Sequence, residues 1–276
     1  MSVSSSSAGG QGAGEDRTQD ALAETMEGPV RRLILNRPEK RNALDRELVD
    51  ALARAFRRAG DDASVRVVTL EGRGKDFCAG ADLSALARLT TAPMVENLRD
   101  AEALAELFLV IRTLEKPVVA RVRGRALAGG CGLAAACDLV LAEESAIFGY
   151  PEVQLGFVPA IVLGILRRNV SEKRAFEMIS TGKQYPASEM KRFGLVNETF
   201  PDAGFDDHAD GFVRELAGRS ASALSLAKRL LYSQDTTSFS GGISAGVTVN
   251  TLARLTADTR EGMAAFVRSR TGGSES

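Results

Sequence analysis

Residues 118–142 read VVARVRGRALAGGCGLAAACDLVLA, and the fold class turns on this stretch. Val118 to Val122 has the apolar, β-branched character of a buried strand. A Gly-rich turn follows, and Gly130 to Cys137 carries only small residues and Leu133, the composition of a short helix packed closely on its neighbours. Leu139 to Ala142 is another short strand. A strand, a turn, a helix and a strand joined by such short connections imply an α/β core in which largely parallel strands are covered by helices.

The same alternation extends outward. Towards the N-terminus, Arg31 to Leu35 reads as a strand that Asn36-Arg37-Pro38-Glu39-Lys40 breaks, because Pro38 fixes its own backbone and restricts Arg37. Asp45 is placed to cap a helix whose face carries Leu48, Leu52, Ala55 and Phe56, and Gly60 ends that pattern. Val65 to Leu70 is a further internal strand. A loop over 71–83 leads to helical spacing at Leu98, Ala101, Ala105, Phe108 and Ile111, stopped by Lys116-Pro117. Beyond Ala160 the pattern is almost wholly helical, with helices expected over 160–170, 205–219, 221–231 and 243–255. Residues 1–27 are rich in Ser, Gly, Ala and Gln, too poor in large apolar side chains to offset the entropy of ordering, so they are expected to be a disordered tail. The rest is expected to be one domain, 28–276, with its core over 28–200 and a helical C-terminal region over 201–270.

The composition removes several function classes. Lys plus Arg number 35 against 36 Asp plus Glu, which gives no electrostatic reason to expect nucleic acid or an anionic membrane. No apolar run is long enough to span a bilayer, and the N-terminus lacks a secretory signal. Cys78, Cys131 and Cys137 form no CxxC pair, as expected for a cytoplasmic protein without disulfides or a thiolate metal site. His208 is the only histidine and sits among acidic residues. Ser-His-Asp and Cys-His hydrolysis and histidine metal sites therefore have no imidazole to use.

Two segments can present backbone donors. Arg125 to Leu133 places small residues where a strand ends and a helix begins, so unpaired N–H groups with partial positive charge are open to an anion or a developing oxyanion. A tight turn with close helix packing accounts for the same glycines. It is neither a phosphate loop nor a GxGxxG dinucleotide turn. Phe77-Cys78-Ala79-Gly80-Ala81-Asp82-Leu83 is a second small-residue loop that can supply another donor, and each donor aimed at developing charge is worth roughly 3 to 4 kcal/mol.

Taken together, FCAGADL at 77–83, LAGGCGLAAACDL at 127–139 and FGYPEVQLGFVP at 148–159 resemble the crotonase (enoyl-CoA hydratase/isomerase) superfamily. NRPEKRNAL at 36–44, FGLVNETF at 193–200 and REGMAAFVRSR at 260–270 extend the likeness over nearly the whole chain. The resemblance implies an α/β core of repeated ββα units with a helical C-terminal region, and a homotrimer or dimer of trimers. It implies a CoA-thioester substrate and no separate cofactor or metal, CoA being part of the substrate. By position, the amides of Ala81 and Gly129 form an oxyanion hole around the thioester carbonyl. Ala79, Ala81, Asp82, Leu83, Ser84 and Gly129 line the CoA side of the cleft, while Arg41 and Ala43 meet the nucleotide. The Asp82 side chain itself reads as a turn-stabilising carboxylate, and Cys131 and Cys137 as small core residues.

Hydratases of this superfamily typically use two glutamates. Here the first position is Gly132, and the second is Glu152. The apolar neighbours Val153, Leu155, Phe157 and Val158 are expected to desolvate Glu152 and raise its pKa. One carboxylate suffices to shuttle a proton between C2 and C4 of an enoyl thioester; hydration also asks for a positioned water. Ala160-Ile161-Val162-Leu163 departs from the Gly-rich run common in two-glutamate hydratases, implying a differently shaped acyl pocket. The expectation is an enoyl-CoA hydratase or isomerase acting through Glu152. A noncatalytic acyl-CoA-binding or assembly protein is the alternative, together with decarboxylase or hydrolase chemistry in the same cleft.

Overall fold

Strand β1 (Leu22–Glu27) turns at Gly28, whose φ is +55°, and runs back as β2 (Val30–Leu35) in an antiparallel hairpin. The computed structural model describes residues 21–271. Helix α1 (Arg46–Asp61) is capped by the Asp45 carboxylate, which accepts from Leu48 N at 3.0 Å, and its apolar face of Leu48, Leu52, Ala55 and Phe56 is fully buried. Then come β3 (Val67–Gly72), α2 (Leu83–Leu89), α3 (Met94–Thr113), β4 (Val118–Val122), β5 (Arg125–Leu127), α4 (Gly129–Ala136), β6 (Leu139–Glu143) and β7 (Ile147–Gly149). The remainder holds α5 (Ala160–Asn169), α6 (Glu172–Thr181), β8 (Gln184–Pro186), α7 (Ala187–Phe193), β9 (Glu198–Phe200), α8 (Phe205–Ala217), α9 (Ala221–Ser233), α10 (Phe239–Arg254) and α11 (Ala257–Thr271).

The main sheet has the order β1-β2-β3-β4-β6-β9 and is parallel except at β1. A smaller sheet, β5-β7-β8, stands beside it, and Cys78 bridges Ala126 of β5. Three strands of the large sheet, β3, β4 and β6, thus hand the chain to the small sheet or its bridge before a helix begins: β3, Cys78 and α2; β4, β5 and α4; β6, β7 and then α5. This is the repeated ββα unit of the expected α/β class. Period-two alternation sorts the side chains of the large sheet. Val67, Val119 and Leu141 pack with Phe205, Ala209 and Val213 of α8 on one face, whereas Val68, Val118, Ala120 and Val140 join the main core with α1, α3 and α4 on the other.

Two buried cations fasten helices to this frame. Arg121 pairs with Glu71 at 3.1 Å and with Asp206 and Asp210 of α8 at 2.6 and 3.1 Å. Lys228 of α9 donates to Asp138 at 2.7 Å and to the carbonyls of Ile111 and Lys116, while Tyr232 donates to the other Asp138 oxygen. The helical C-terminal region is thereby tied to Asp138, two residues beyond the end of α4.

Three expectations need correction. Of the tail expected over 1–27, residues 1–20 lie outside the described residues, but Leu22–Glu27 is a strand, since pairing with β2 satisfies its backbone in a way composition does not register. The segment read as almost wholly helical contains β8 and β9, each of three residues, too short for any periodicity to mark. Helix α2 begins at Leu83, directly after the loop. Among the described residues no helix is long and apolar enough to cross a membrane.

Candidate active site

Three segments build the site. After a helical turn at Pro38–Lys40, Arg41 and Asn42 adopt left-handed conformations with φ of 52° and 55°. Buried Asn42 holds the turn by accepting from Arg37 N and donating to the carbonyls of Arg73 and Asp76 at 3.0 and 2.8 Å. This lays residues 41–44 alongside residues 79–82: Ala79 N donates to Arg41 O, Leu44 N to Gly80 O, and Asp82 N to Leu44 O. In such a parallel bridge the intervening amide points the other way. The N–H of Ala81 accordingly has no acceptor among the described residues, and Ala81 is exposed.

The third segment turns from β5 into α4. Leu127 N donates to Cys78 O and Ala128 N to Gly149 O, so the bridging Cys78 and strand β7 together hold the turn. Ala128 has φ 52° and ψ −127°, a region that costs a residue with a Cβ about 1 to 3 kcal/mol and persists only where its surroundings enforce it. Gly129 is the first residue of α4, and its N–H likewise finds no acceptor among the described residues. The two loops approach closely: a Cβ on Gly80 would lie 2.7 Å from Ala128 Cβ and 3.4 Å from Gly129 N. Gly80 is required both by this approach and by its φ of +97°. Ala81 and Gly129 line one cavity of about 70 Å³, walled by Leu44, Val49, Leu86 and Leu104.

Asp82 is turned away from chemistry. Its carboxylate accepts from Ser84 N, Ser84 Oγ and Ala85 N, capping α2, and it pairs with Arg37 and Lys40 at 3.2 Å each. The Ser84 hydroxyl above all holds it well below the usual carboxylate range. Leu83 and Ser84 are exposed at the rim; Arg41 projects into solvent, and Ala43 is buried with its carbonyl accepting from Arg37 Nη1 at 2.6 Å. Arg37, which joins this turn to Asp45 and Asp82, was not singled out in the sequence; its place in NRPEKRNAL is the only signal it gives.

Glu152 lies in the short turn Pro151–Leu155 after β7. Its Oε2 is buried and has no hydrogen-bond partner among the described residues, and burial raises its pKa above the ordinary glutamate value. The source of that desolvation differs from expectation. Val153, Leu155, Phe157 and Val158 are all exposed, because the tight turn carries them outward. Buried Cys131 and Tyr150 lie near enough to feel the Glu152 charge, and burial pushes the Cys131 thiol up to about 12, leaving it a core residue at neutral pH. Cys137 is buried and its thiol is likewise raised.

Gly132 is closed to a larger side chain. A Cβ there would lie 2.2 Å from Val162 Cγ1, 2.9 Å from Val162 Cβ and 3.4 Å from Phe108 Cζ. Val162, from the segment that departs from a Gly-rich run, fills the space that a side chain at 132 would need. His208, on α8, stacks on Phe200 of β9, on the face of the main sheet opposite α4 and away from the cavity.

The enoyl-CoA hydratase/isomerase family model matches residues 25–273. A putative enoyl-CoA hydratase of Thermus thermophilus is 41% identical over 249 residues, spanning 90% of this chain and 98% of that one. The 2,3-dehydroadipyl-CoA hydratase of Escherichia coli is 34% identical over 87% of this chain and 92% of its own length. Among solved structures, an enoyl-CoA hydratase from Mycobacterium smegmatis superposes with a TM-score of 0.86 at 32% identity, covering 90% of this chain and 96% of that one. With two strand-to-helix turns whose amides face one cavity, and a family match over residues 25–273, the protein belongs to the enoyl-CoA hydratase/isomerase, or crotonase, superfamily.

Proposed function

We propose that the protein moves a proton on an enoyl-CoA thioester, with Glu152 as its single acid/base and the amides of Ala81 and Gly129 as its oxyanion hole. Two observations carry this reading: the N–H groups of Ala81 and Gly129, without acceptors among the described residues, line one cavity, and Glu152, in the turn that follows β7 and near enough to Cys131 of α4 for their charges to interact, has a buried oxygen without a partner among the described residues. Thioester carbonyl oxygen placed between the two N–H groups gains negative charge as the α-proton leaves, and preorganised donors stabilise that charge by several kcal/mol. Glu152 takes the proton as a carboxylate and returns it as a carboxylic acid; a raised pKa brings both forms within reach of working pH.

Return of the proton at C4 shifts the double bond. This outcome is favoured by Gly132 and Val162, which leave no space for a second carboxylate to hold a water. Hydration is the second reading, favoured by the hydratase names of the relatives. Incubation with crotonyl-CoA and with a 3-enoyl-CoA separates them: added water with loss of conjugated absorbance identifies a hydratase, and gain of conjugation at constant mass an isomerase. No reaction with either removes the proposal. The CoA nucleotide would lie against residues 41–43, with residues 79–84 along the pantetheine.

Self-association is part of the same reading. Leu231 on α9 and Phe239, Ile243 and Val247 on α10 are exposed along one groove between the two helices, an apolar surface of the kind that subunits cover. A homotrimer or dimer of trimers is expected by light scattering of the purified protein.

A further inference from the structure

One charged group in the cavity beside the two free amides is not accounted for by the proposed chemistry. The cavity of about 70 Å³ is apolar on most sides, through Leu44, Val49, Ala85, Leu86, Leu89 and Leu104, and its ionisable wall residues are Asp45, Arg46, Asp82 and Asp100. Three of these four are engaged. Asp45 caps α1 and pairs with Arg37 at 2.8 Å. Asp82 caps α2 and pairs with Arg37 and Lys40. Arg46 pairs with Asp50 at 2.8 Å and donates to Arg99 O at 3.0 Å.

Asp100, on the second turn of α3, is different. It is part-buried, and among the described residues no hydrogen bond or ion pair within 4 Å reaches its carboxylate. Burial raises its pKa, with Arg46 opposing and Asp50 adding to that effect. A carboxylate left without a partner in an apolar wall is costly unless something that enters the cavity uses it.

The geometry points to Asp100 as a charge filter for the acyl group: it favours a short chain whose far end donates a hydrogen bond and rejects one that ends in a carboxylate. This rests on the proposed binding of a thioester carbonyl at Ala81 and Gly129. From that point the chain has a cavity about half the size of the 150 Å³ void that holds a benzene ring, so a three-carbon extension fills it and a further hydroxyl or carboxylate oxygen stands at the part-exposed wall that carries Asp100. A three-carbon extension beyond the carbonyl therefore ends within the same small space as Asp100. A hydroxyl there finds an acceptor. A carboxylate meets a like charge a few ångströms away at a partly solvated wall, enough for about a tenfold loss of affinity. The contrast with the E. coli relative is chemical, since the name of that protein specifies an acyl group carrying a second carboxylate.

Three saturated thioesters of equal length test the filter without depending on turnover: butyryl-CoA, 4-hydroxybutyryl-CoA and succinyl-CoA. Their affinities for the wild-type protein and for Asp100→Asn are measured by titration calorimetry. The wild type is expected to bind 4-hydroxybutyryl-CoA at least as well as butyryl-CoA and succinyl-CoA about tenfold more weakly. Asp100→Asn, which keeps the shape and removes the charge, is expected to bring succinyl-CoA to within about threefold of butyryl-CoA. Equal wild-type affinity for butyryl-CoA and succinyl-CoA overturns the filter, as does discrimination that persists unchanged in Asp100→Asn. Should none of the three bind the wild type, the proposed function itself falls and the filter with it, an outcome distinct from binding without discrimination.

Discussion

The packing of Val162 against Gly132 can be tested by a double-mutant cycle. A methyl group at position 132 would stand 2.2 Å from Val162 Cγ1 and 2.9 Å from Val162 Cβ, and Val162 is itself buried in the main core with little room to retreat. Relieving that overlap requires an off-rotamer valine or a shift of α5 against α4, which costs about 1 to 3 kcal/mol. Opposing it, Gly→Ala inside a helix gains about 1 kcal/mol. Gly132→Ala alone should therefore range from near-neutral to a loss of about 2 kcal/mol. In a Val162→Ala background the 2.2 Å overlap with Cγ1 is gone and the remaining 2.9 Å approach to Cβ needs only a small shift, so the same substitution should be near-neutral or stabilising by up to about 1 kcal/mol. The expected coupling is thus about 1 to 3 kcal/mol, well above the few tenths seen for independent sites. Urea unfolding of the four proteins at fixed slope measures it. Equal effects of Gly132→Ala in both backgrounds would show that Val162 does not fill this space, and would remove the structural ground for favouring a single carboxylate on this side of the cleft.

Other consequences are more direct. Because burial raises the Glu152 pKa, the base form is lost on acidification sooner than for an exposed glutamate; kcat/KM should rise with pH through a pKa above about 4.3, read from the acid limb of the rate profile. Asp82 has its pKa depressed by the Ser84 hydroxyl and nearby donors, so its contribution is complete above the unfolded value of about 3.9 and fades as pH falls towards the folded value. Asp82→Asn should accordingly lose about 1 to 3 kcal/mol at pH 7 and progressively less below about pH 4 in denaturant titrations. Lys228→Met keeps the stem but leaves the Asp138 carboxylate without its cation, and thermal unfolding should report a loss of about 3 to 5 kcal/mol.

Local chemistry made much of this architecture readable. Pro38, the Asp45 cap and the small residues of 129–136 each force a backbone outcome within a few positions, and Val118–Val122 is a strand with those same bounds. What failed depended on partners. Leu22–Glu27 becomes a strand only because β2 lies beside it, and β8 and β9 are defined by the edges they complete. At the site, the resemblance named Ala81, Gly129 and Glu152, but the backbone bonds that leave the Ala81 amide without an acceptor among the described residues appear only when residues 41–44 are laid against 79–82. The expected source of Glu152 desolvation was mistaken because adjacency in sequence does not decide which way a tight turn points its side chains. Val162 stood out as a departure in pattern, yet its contact with Gly132 joins α5 to α4 across 30 positions, a relation no local rule contains.

Central to the account is Glu152 as the one group that moves the proton. Glu152→Gln keeps size and removes basicity, and since a raised folded pKa means the neutral form suits the fold better at pH 7, the variant should be no less stable than the wild type. The decisive measurement is turnover of the enoyl-CoA substrate by Glu152→Gln alongside its affinity for butyryl-CoA. A fall in kcat of about 10² to 10⁴ with affinity retained is the predicted result; turnover within a few-fold of the wild type in a folded, thioester-binding variant would contradict the account.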